Sequence, residues 1–439
     1  MRTTTKARQP RTDSTAAAAR PAAPAGRDRP AGAAGPGARD GSKPAGRGLS
    51  AQVCTSADEF GALEAEWDLL HGRCTAATPF QTHAWLHSWW RAYGARGAGR
   101  GLRVVLLRAA APNAGAEGAQ GAGRLVGAAA MMRVHRPFPA LVPLGGAISD
   151  FSDVLLDDAY AQQAAPALAE ALAGAAGSAL VDFREVRPGA ALERVYACWR
   201  GPRRTLPDSL CLELPAVPMD ELVARLPSSR GQRVRSNLRK LAALGVERRV
   251  VAPEEVPAML RALLALHRVQ WQCRGRKVTG EHLRPRFAGH LEHAVRAMAA
   301  RGAAAVTEFR LDGAVVAVDL TLLAPRLAGG YLFGADPRLR ERKVDVATML
   351  MHSGTLHLAE LRDQRGSRDP AGGPGVLSLL RGDEPYKHHW RPERVVNRRL
   401  LLARGRSAAL LTATAWDSAA RSRAKALLRS RREGIGTAG

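Results

Sequence analysis

LLRGDEPYKHHW, Leu379 to Trp390, decides how this chain is read. Two leucines run straight into polar and charged residues broken only by a glycine and a proline. Leu377, Leu379 and Leu380 finish a buried strand, and Arg381-Gly382 turns the chain. Asp383, Glu384, Tyr386 and Lys387 then converge at the strand's carboxyl end, where open α/β sheets place their ligand sites. The same residue types also suit a solvated strand–loop junction whose charges merely face water. The surrounding sequence has to separate the two.

The chain has 439 residues, 46% of them hydrophobic, enough for one large or two ordinary domains. Lys and Arg number 65 against 40 Asp and Glu, a formal net charge of +25. Most of the basic residues are arginine in a chain rich in Ala and Gly, which drift in a GC-rich genome produces as readily as a nucleic-acid partner does. Basicity implies attraction to phosphates on RNA, a membrane or a nucleotide cofactor, without choosing among them. The five cysteines (Cys54, Cys74, Cys198, Cys211 and Cys273) are odd in number, far apart and never CxxC. That argues against a zinc ribbon or a disulfide framework and suits a reducing cytoplasm. The start, MRTTTKARQPRTDSTAAAAR, has no apolar core and does not read as a secretory signal. No segment approaches the roughly twenty apolar residues of a membrane span. The expectation is a soluble, cytoplasmic protein without a transmembrane segment.

Residues 1–49 carry almost no large apolar side chains and are expected to form a disordered basic arm. Phe60, Leu63, Trp67 and Leu70 then recur at helical spacing after a Ser/Asp start signal. A second helix follows in TPFQTHAWLHSWWRAYG, where Trp85, Trp89 and Trp90 form a stripe of the kind usually buried in a core. GLRVVLLRAA and GRLVGAAAMMRV read as strands joined by an Ala/Gly-rich loop over 111–123. A helix near 160–176 and the strands ALVDFREV and LCLELP complete a first lobe, 50–215. From about 218 the order restarts with helices, a strand and a long helix, PEEVPAMLRALLALHRVQWQCRG. The apolar runs of AAAVTEFRLDGAVVAVDLTLL are joined by Asp312-Gly313, the strongest short hairpin signal in the chain. The strand GGYLFGADP, the helix DVATMLMHSGTLHLAEL, a loop-like insertion RDQRGSRDPAGGPG and the strand GVLSLLRG finish a second lobe, 216–402. A basic helix or tail occupies 403–439. Both lobes share an order of elements, a weak internal repeat, and mixed α/β sheets flanked by helices are the implied class.

The order in the second lobe resembles the core of the GNAT acyltransferases. ATPFQTHAWLHSWWRAYG, SDFSDVLL, RVRSNLRKL, LHRVQWQCRGR and LLRGDEPYKHHW are, in that order, similar to the BioF2-like acetyltransferase family. That family includes CelD-like proteins of cellulose biosynthesis and is related to the FemAB peptidyltransferases. The resemblance covers about residues 50–402, and its last motif is the most specific. It implies a tandem of two GNAT-like lobes with a cleft between them. It further implies an acyl-CoA donor site in the second lobe and an acceptor in the cleft. A primary amine would attack the thioester directly, without a covalent enzyme intermediate. An amino sugar, a polysaccharide precursor or a small metabolite would supply that amine.

In this reading Asp383 or Glu384 could act as general base, directly or through water. Tyr386 could protonate the departing thiolate, and Lys387 could bind phosphate or stabilise the oxyanion. Arg381 joins the donor-binding candidates Arg338, Arg340, Arg342 and Lys343, which precede a helix whose amino end would face a pyrophosphate. Asp345 is placed to cap that helix. The chain departs here from the glycine-rich loop of GNAT enzymes and the Pro-Gly frequent in this family, having Lys343-Val344-Asp345 instead. A basic solvated loop accounts for the same residues. Asp150 and Asp153 in SDFSDVLL would lie toward the cleft and orient a cationic amine, or else cap a turn. His267 and Trp271 share a helix face and form either an acceptor wall or a packed core pair.

Two rival functions remain open at this stage. One is a FemAB-like transferase using aminoacyl-tRNA as donor, which the charge and the missing glycine loop favour and the lack of a long coiled-coil hairpin disfavours. The other is a non-catalytic GNAT-like scaffold that binds nucleic acid or a partner through its basic arms. Arg230, Arg233, Arg235, Arg239 and Lys240 could grip a polyanion, but no aromatic residues interleave with them as in RNA-binding modules. The basic tail could touch an anionic surface. No HExxH, Walker loop, GxSxG elbow or dinucleotide fingerprint occurs, and the twelve histidines lack ligand spacing, so no metal is expected.

Overall fold

A computed structural model describes residues 48–94, 101–110, 123–135, 137–273, 280–365 and 375–436. The expected basic arm, the Ala/Gly-rich connection over 111–123 and the insertion after Leu361 lie wholly or largely outside these residues.

The first lobe runs β1 (Leu49–Cys54), α1 (Ala57–Ala62), α2 (Glu64–Gly72), α3 (His83–Trp89), β2 (Leu102–Ala109), β3 (Arg124–His135) and β4 (Pro139–Pro143). It continues through β5 (Leu155–Leu156), α4 (Ala161–Ala176), β6 (Leu180–Val186), α5 (Leu192–Cys198) and β7 (Arg203–Pro215). The second lobe begins with α6 (Met219–Ala224), α7 (Ser228–Ala243), β8 (Glu247–Val250), α8 (Val256–Cys273) and α9 (Pro285–Ala300). Next come the strands β9 (Ala304–Leu311), β10 (Ala314–Ala324) and β11 (Leu327–Ala335), then α10 (Pro337–Glu341), α11 (Val346–Arg365) and β12 (Val376–Arg381). The chain closes with β13 (Glu393–Leu402) and α12 (Ala408–Gly436).

Local chemistry explains many of these boundaries. The Ser56 hydroxyl accepts from the Asp58 and Glu59 amides and starts α1, while Phe60, Trp67 and Leu70 turn inward. Between β9 and β10, Asp312 (φ 52°) and Gly313 (φ 75°) are both left-handed, the two-residue turn that their identities predict. Along β10, Val318, Leu320 and Leu322 pack toward α8 and α9. The alternate residues Asp319 and Thr321 face the opposite side, beneath α11. Trp85, Trp89 and Trp90 are buried in the same core as α9, in keeping with the aromatic stripe.

All thirteen strands belong to one mixed sheet, in the order β1-β2-β3-β4-β6-β13-β7-β12-β11-β10-β9-β8 with β5 beside β3. Two features of it position everything that follows. First, β13 leaves the second lobe and inserts between β6 and β7, while β7 also pairs with β12, so the lobes share one backbone ladder. Second, β11 and β12 run parallel and pair only over Leu327–Gly329 with Val376–Ser378. Beyond that they diverge. A register shift opposite Leu320/Thr321 leaves Tyr331 as an extra residue on β11, which bends the strand at the point of divergence.

The displaced Tyr331 is the anchor between lobes. Its ring packs edge-on against Trp85 and beside Phe80, and its hydroxyl donates to the Ile148 carbonyl at 2.8 Å. Burial raises its phenol pKa well above the ordinary value. Strands β1, β4 and β13 were not anticipated from the sequence; β13 (ERVVNRRLLL) hides its sheet face behind arginines. Among the described residues no helix is long and apolar enough to cross a membrane, and no group of three His, Cys, Asp or Glu could hold a metal.

Tyr331→Phe keeps the ring and removes only the interlobe hydrogen bond. It is expected to lower unfolding free energy by about 1 kcal/mol, with an unchanged denaturant slope in equilibrium urea unfolding.

Candidate active site

The divergence of β11 and β12 opens a pocket of about 400 Å³. Phe333, Val344, Val346, Leu350, Met351 and Leu377 give it mostly apolar walls, and exposed Tyr386 and buried Lys387 and Trp390 also line it. A parallel pair that separates exposes unpaired strand edges along an apolar slot, which suits an extended amide-containing chain. The amino end of α11 also lines the pocket through Asp345, Val346 and Ala347.

Lys387 is a buried cation of this site. The one-turn helix following Pro385 carries its side chain inward, leaving it 7% exposed. Its ammonium donates to the Arg381 carbonyl at 3.0 Å and reaches Glu384 at 2.8 Å. An ammonium has three donors, so one is left for a ligand oxygen. Tyr386 lies beside it and is partly exposed. Asp383 and Glu384 stay on the surface, with side chains 57% and 48% exposed, Asp383 between His388 and Arg394 and Glu384 on Lys387.

The carbonyl that Lys387 touches belongs to Arg381, whose side chain enters a second and larger cavity of about 840 Å³. This cavity is a polar cleft where β6, β7, β13 and α12 meet. In it the Arg381 guanidinium bonds Asp150, reaches Glu185 at 3.3 Å and donates to the Ala147 carbonyl at 2.8 Å. Burial raises the pKa of Asp150, outweighing the adjacent Arg381 that lowers it; the field of Lys387 reaches it too. Glu185 also accepts from the Ser209 hydroxyl and from Asn397 at 3.1 Å. The fully buried Asn397 thus ties Glu185 to the Asp150 carbonyl, and its own Oδ1 has no partner.

Backbone irregularity concentrates here. Each of the strands β6, β7 and β12 has one residue too many at this level, near Glu185, Asp208–Ser209 and Leu380. Glu185 (φ 56°) and Leu380 (φ 55°) are left-handed, and Gly382 (φ 116°) follows Arg381. Left-handed non-glycine residues cost roughly 1–2 kcal/mol each, and bulges of this kind re-aim side chains. The bulge at Leu380 turns Arg381 toward Asp150 instead of along the strand.

The other sequence-derived candidates separate into groups. Arg340 lines the apolar pocket, whereas Arg338 pairs with Asp336 and Arg342 with Asp312 at the surface. Lys343 takes φ 54°, the conformation a glycine would adopt at this turn. Asp345 caps α11, its carboxylate accepting from the Ala347 amide at 3.1 Å, the Thr348 hydroxyl at 2.9 Å and Asn237 at 2.9 Å. Asp153 is half-buried and accepts from the amides of Ala191 and Leu192 at 2.9 and 2.8 Å, so it caps α5 and does not reach the cleft. Burial raises its carboxyl to about 7. His267 bonds the Phe333 carbonyl at 2.8 Å and meets Trp271 edge-on; neither residue lines either cavity. Sequence reasoning missed Glu185, Ser209, Asn397 and Asp319, because single polar residues within strands carry no spacing signal.

Residues 228–388 match the family model described as Acetyltransferase (GNAT) domain. The match lies within the second lobe and covers less than half of the chain. Among solved structures, FemX is similar over 77% of this chain and 95% of its own, at 12% identity and a TM-score of 0.52. A conserved protein of unknown function from Bacteroides thetaiotaomicron VPI-5482 matches over 80% of this chain and 98% of its own, at 12% identity and a TM-score of 0.48. A tandem GNAT protein from the clavulanic acid biosynthesis pathway covers the same shares, 80% and 98%, at 12% identity and a TM-score of 0.36. At such identities the likeness is one of fold. No match was found among curated proteins. The expected fold class, mixed α/β in a tandem GNAT arrangement, is the one observed.

Removing Arg381 leaves Asp150 and Glu185 facing each other without their shared cation. Arg381→Gln is expected to lose about 2 kcal/mol at pH 8, because breaking a largely buried pair strands the remaining charge. Asp150 already has a raised pKa, so it protonates early as pH falls and the loss shrinks toward pH 5. Urea unfolding of both proteins at the two pH values measures this.

Proposed function

We propose that this protein is an acyl-CoA-dependent N-acyltransferase of the BioF2-like, tandem-GNAT type, moving an acyl group from a CoA thioester to a primary amine. The observation that supports it is the apolar pocket between the diverging β11 and β12, with buried Lys387 joining it to the polar interlobe cleft. The donor's pantetheine arm lies in the pocket, and the amine enters from the cleft beside Asp150. The acceptor is an amine on an amino sugar, a polysaccharide precursor or a small metabolite.

The residues divide the chemistry as follows. Asp150, held above the usual carboxylate range by burial, takes the proton that the attacking ammonium must lose. It suits this better than Asp383 or Glu384, which are exposed and already paired at the surface. The remaining donor of Lys387 meets the oxyanion as the new C–N bond forms. The C–S bond then breaks, and Tyr386, which lines the pocket, protonates the thiolate. Arg381 holds Asp150 in place and keeps the cleft's charge balanced.

One observation favours a different donor. A GNAT-type pyrophosphate site uses the free amides at the helix's amino end, and here the Asp345 carboxylate already accepts from two of them. An aminoacyl-tRNA, whose phosphates need not sit at α11, avoids that competition. Calorimetric titration near physiological salt and again at higher salt separates the donors, because a chain of net charge +25 attracts any phosphate at low ionic strength. Salt-resistant micromolar binding of acetyl- or longer acyl-CoA, weakened in Lys387→Ala, supports the CoA reading. Binding that follows only the charging state of tRNA moves the donor to aminoacyl-tRNA, and binding that vanishes with salt sinks both.

With an active donor–acceptor pair, Lys387→Ala is expected to lower kcat by about 10²–10³-fold, the usual cost of an oxyanion donor. The rate should rise with pH as Asp150 loses its proton, with an inflection above the ordinary Asp value of about 3.9. Asp150→Asn should remove that limb of the profile.

A further inference from the structure

The floor of the donor pocket holds a carboxylate that the mechanism above does not use. Asp319 and Thr321 lie on β10 in the row that also presents Phe333 across the β10–β11 ladder, so all three face the same slot beneath α11. Asp319 is 4% exposed. The Thr321 hydroxyl donates to its Oδ2 at 2.9 Å, and among the described residues Oδ1 accepts no hydrogen bond. No cation stands within ion-pair distance of Asp319 among those residues either. Arg248, whose field reaches it, is committed to Ser353, His357 and Glu360. Burial raises the carboxyl to about 7.

A carboxylate whose second oxygen has no protein donor and opens on the pocket is satisfied only by what fills that space, and a position beside Met351 and Leu350 would be filled more stably by an apolar side chain. Thr321 does not remove the deficit, because one hydroxyl supplies one proton to a group with about four acceptor sites. The pocket also offers no steric reason for a short acidic side chain. A Cβ built at neighbouring Gly330 meets nothing within 4 Å, so the slot is open toward this end. What lacks a partner here is an acceptor facing the space where the acyl group of the donor would lie.

We propose that Asp319 and Thr321 are the specificity end of the acyl pocket, and that the transferred acyl group carries a hydrogen-bond-donating substituent, a hydroxyl or an amino group, which pairs with Asp319. This rests on the acyltransferase reading above. It deepens that reading by naming the class of acyl group, and it assigns a residue to the choice. A plain alkyl acyl chain of the same length leaves Oδ1 unsatisfied and binds less well. Discrimination by an unpaired buried polar group exceeds discrimination by an extra methylene.

The test is calorimetry on the full chain with butyryl-CoA, 3-hydroxybutyryl-CoA and 3-aminobutyryl-CoA, together with alanyl-tRNA against the same tRNA uncharged. The wild type is expected to bind a substituted thioester at least tenfold more tightly than butyryl-CoA, the factor of one charge-assisted hydrogen bond. Asp319→Ala should bring that ratio to about one. Asp319→Asn, which keeps the shape, should lose the preference for the ammonium and retain part of that for the hydroxyl. Which substituted thioester wins names the substituent. Equal affinity for all three thioesters, or a preference that Asp319→Ala leaves intact, overturns the inference while the acyltransferase reading stands. If no thioester binds but charged tRNA is preferred in wild type and not in Asp319→Ala, the substituent is the amino group of an aminoacyl donor. If charged tRNA is preferred equally by both, Asp319 does not select. Failure to bind any of these donors defeats the acyltransferase reading and this inference together.

Discussion

The architecture depends on β7 being paired on both sides by strands from the far end of the chain. β13 lies against one edge and β12 against the other, and backbone hydrogen bonds along both ladders set how the lobes meet. Two GNAT-like units joined by a linker would be free to rock. Here a register change in the β7–β12 ladder would move Arg381 by a residue and flip it to the opposite face. The meeting of Arg381 with Asp150 and Glu185 is therefore a consequence of strand register, and Tyr331 braces the same loop by bonding the Ile148 carbonyl, next to the Ala147 carbonyl that Arg381 holds.

Strain is placed where that junction needs to deviate from a regular sheet. The strands β6 and β7 that flank β13, and β12 beyond β7, each carry an extra residue at one level, and Asn397 on β13 stitches the resulting gap. Left-handed Glu185 and Leu380 are tolerated because the ladders on either side hold them. The result is a cleft whose carboxylates are largely matched by guanidiniums, including the bidentate pairs Asp182–Arg399 and Asp208–Arg184. In a chain so basic overall, this cleft is not basic. That local balance leaves the cleft without a strong field of either sign.

The apolar pocket between β11 and β12 shows the opposite logic. β11 and β12 separate after three paired residues, so the sheet gives up backbone hydrogen bonds there and leaves an apolar slot. The edges of that slot, buried Lys387, Arg340 and Ser378 are among its polar resources, together with Asp319 and Thr321 at the floor. The amino end of α11 is not among them as it stands, because Asp345 supplies the cap that a phosphate would otherwise supply. A left-handed Lys343 in place of glycine belongs to the same rearranged turn.

Much of the fold was legible before any coordinates. Helical spacing of Phe60, Trp67 and Leu70, the Asp312-Gly313 turn and the Asp345 cap are local effects of side chains on their own backbone, and each formed as its residues dictate. The ordered motifs ending in LLRGDEPYKHHW also carried the tandem GNAT arrangement. The pairing of distant residues was not legible. Asp150 and Arg381 are 231 positions apart, and Asn397 and Glu185 are 212 apart. Nothing in either neighbourhood marks its partner. Asp153, three residues from Asp150, looked equivalent in sequence, yet the turn sends it to cap α5 and sends Asp150 to Arg381. Local propensity thus determined which elements form. Long-range strand register, decided only when the whole sheet assembles, chose which of their charged residues meet.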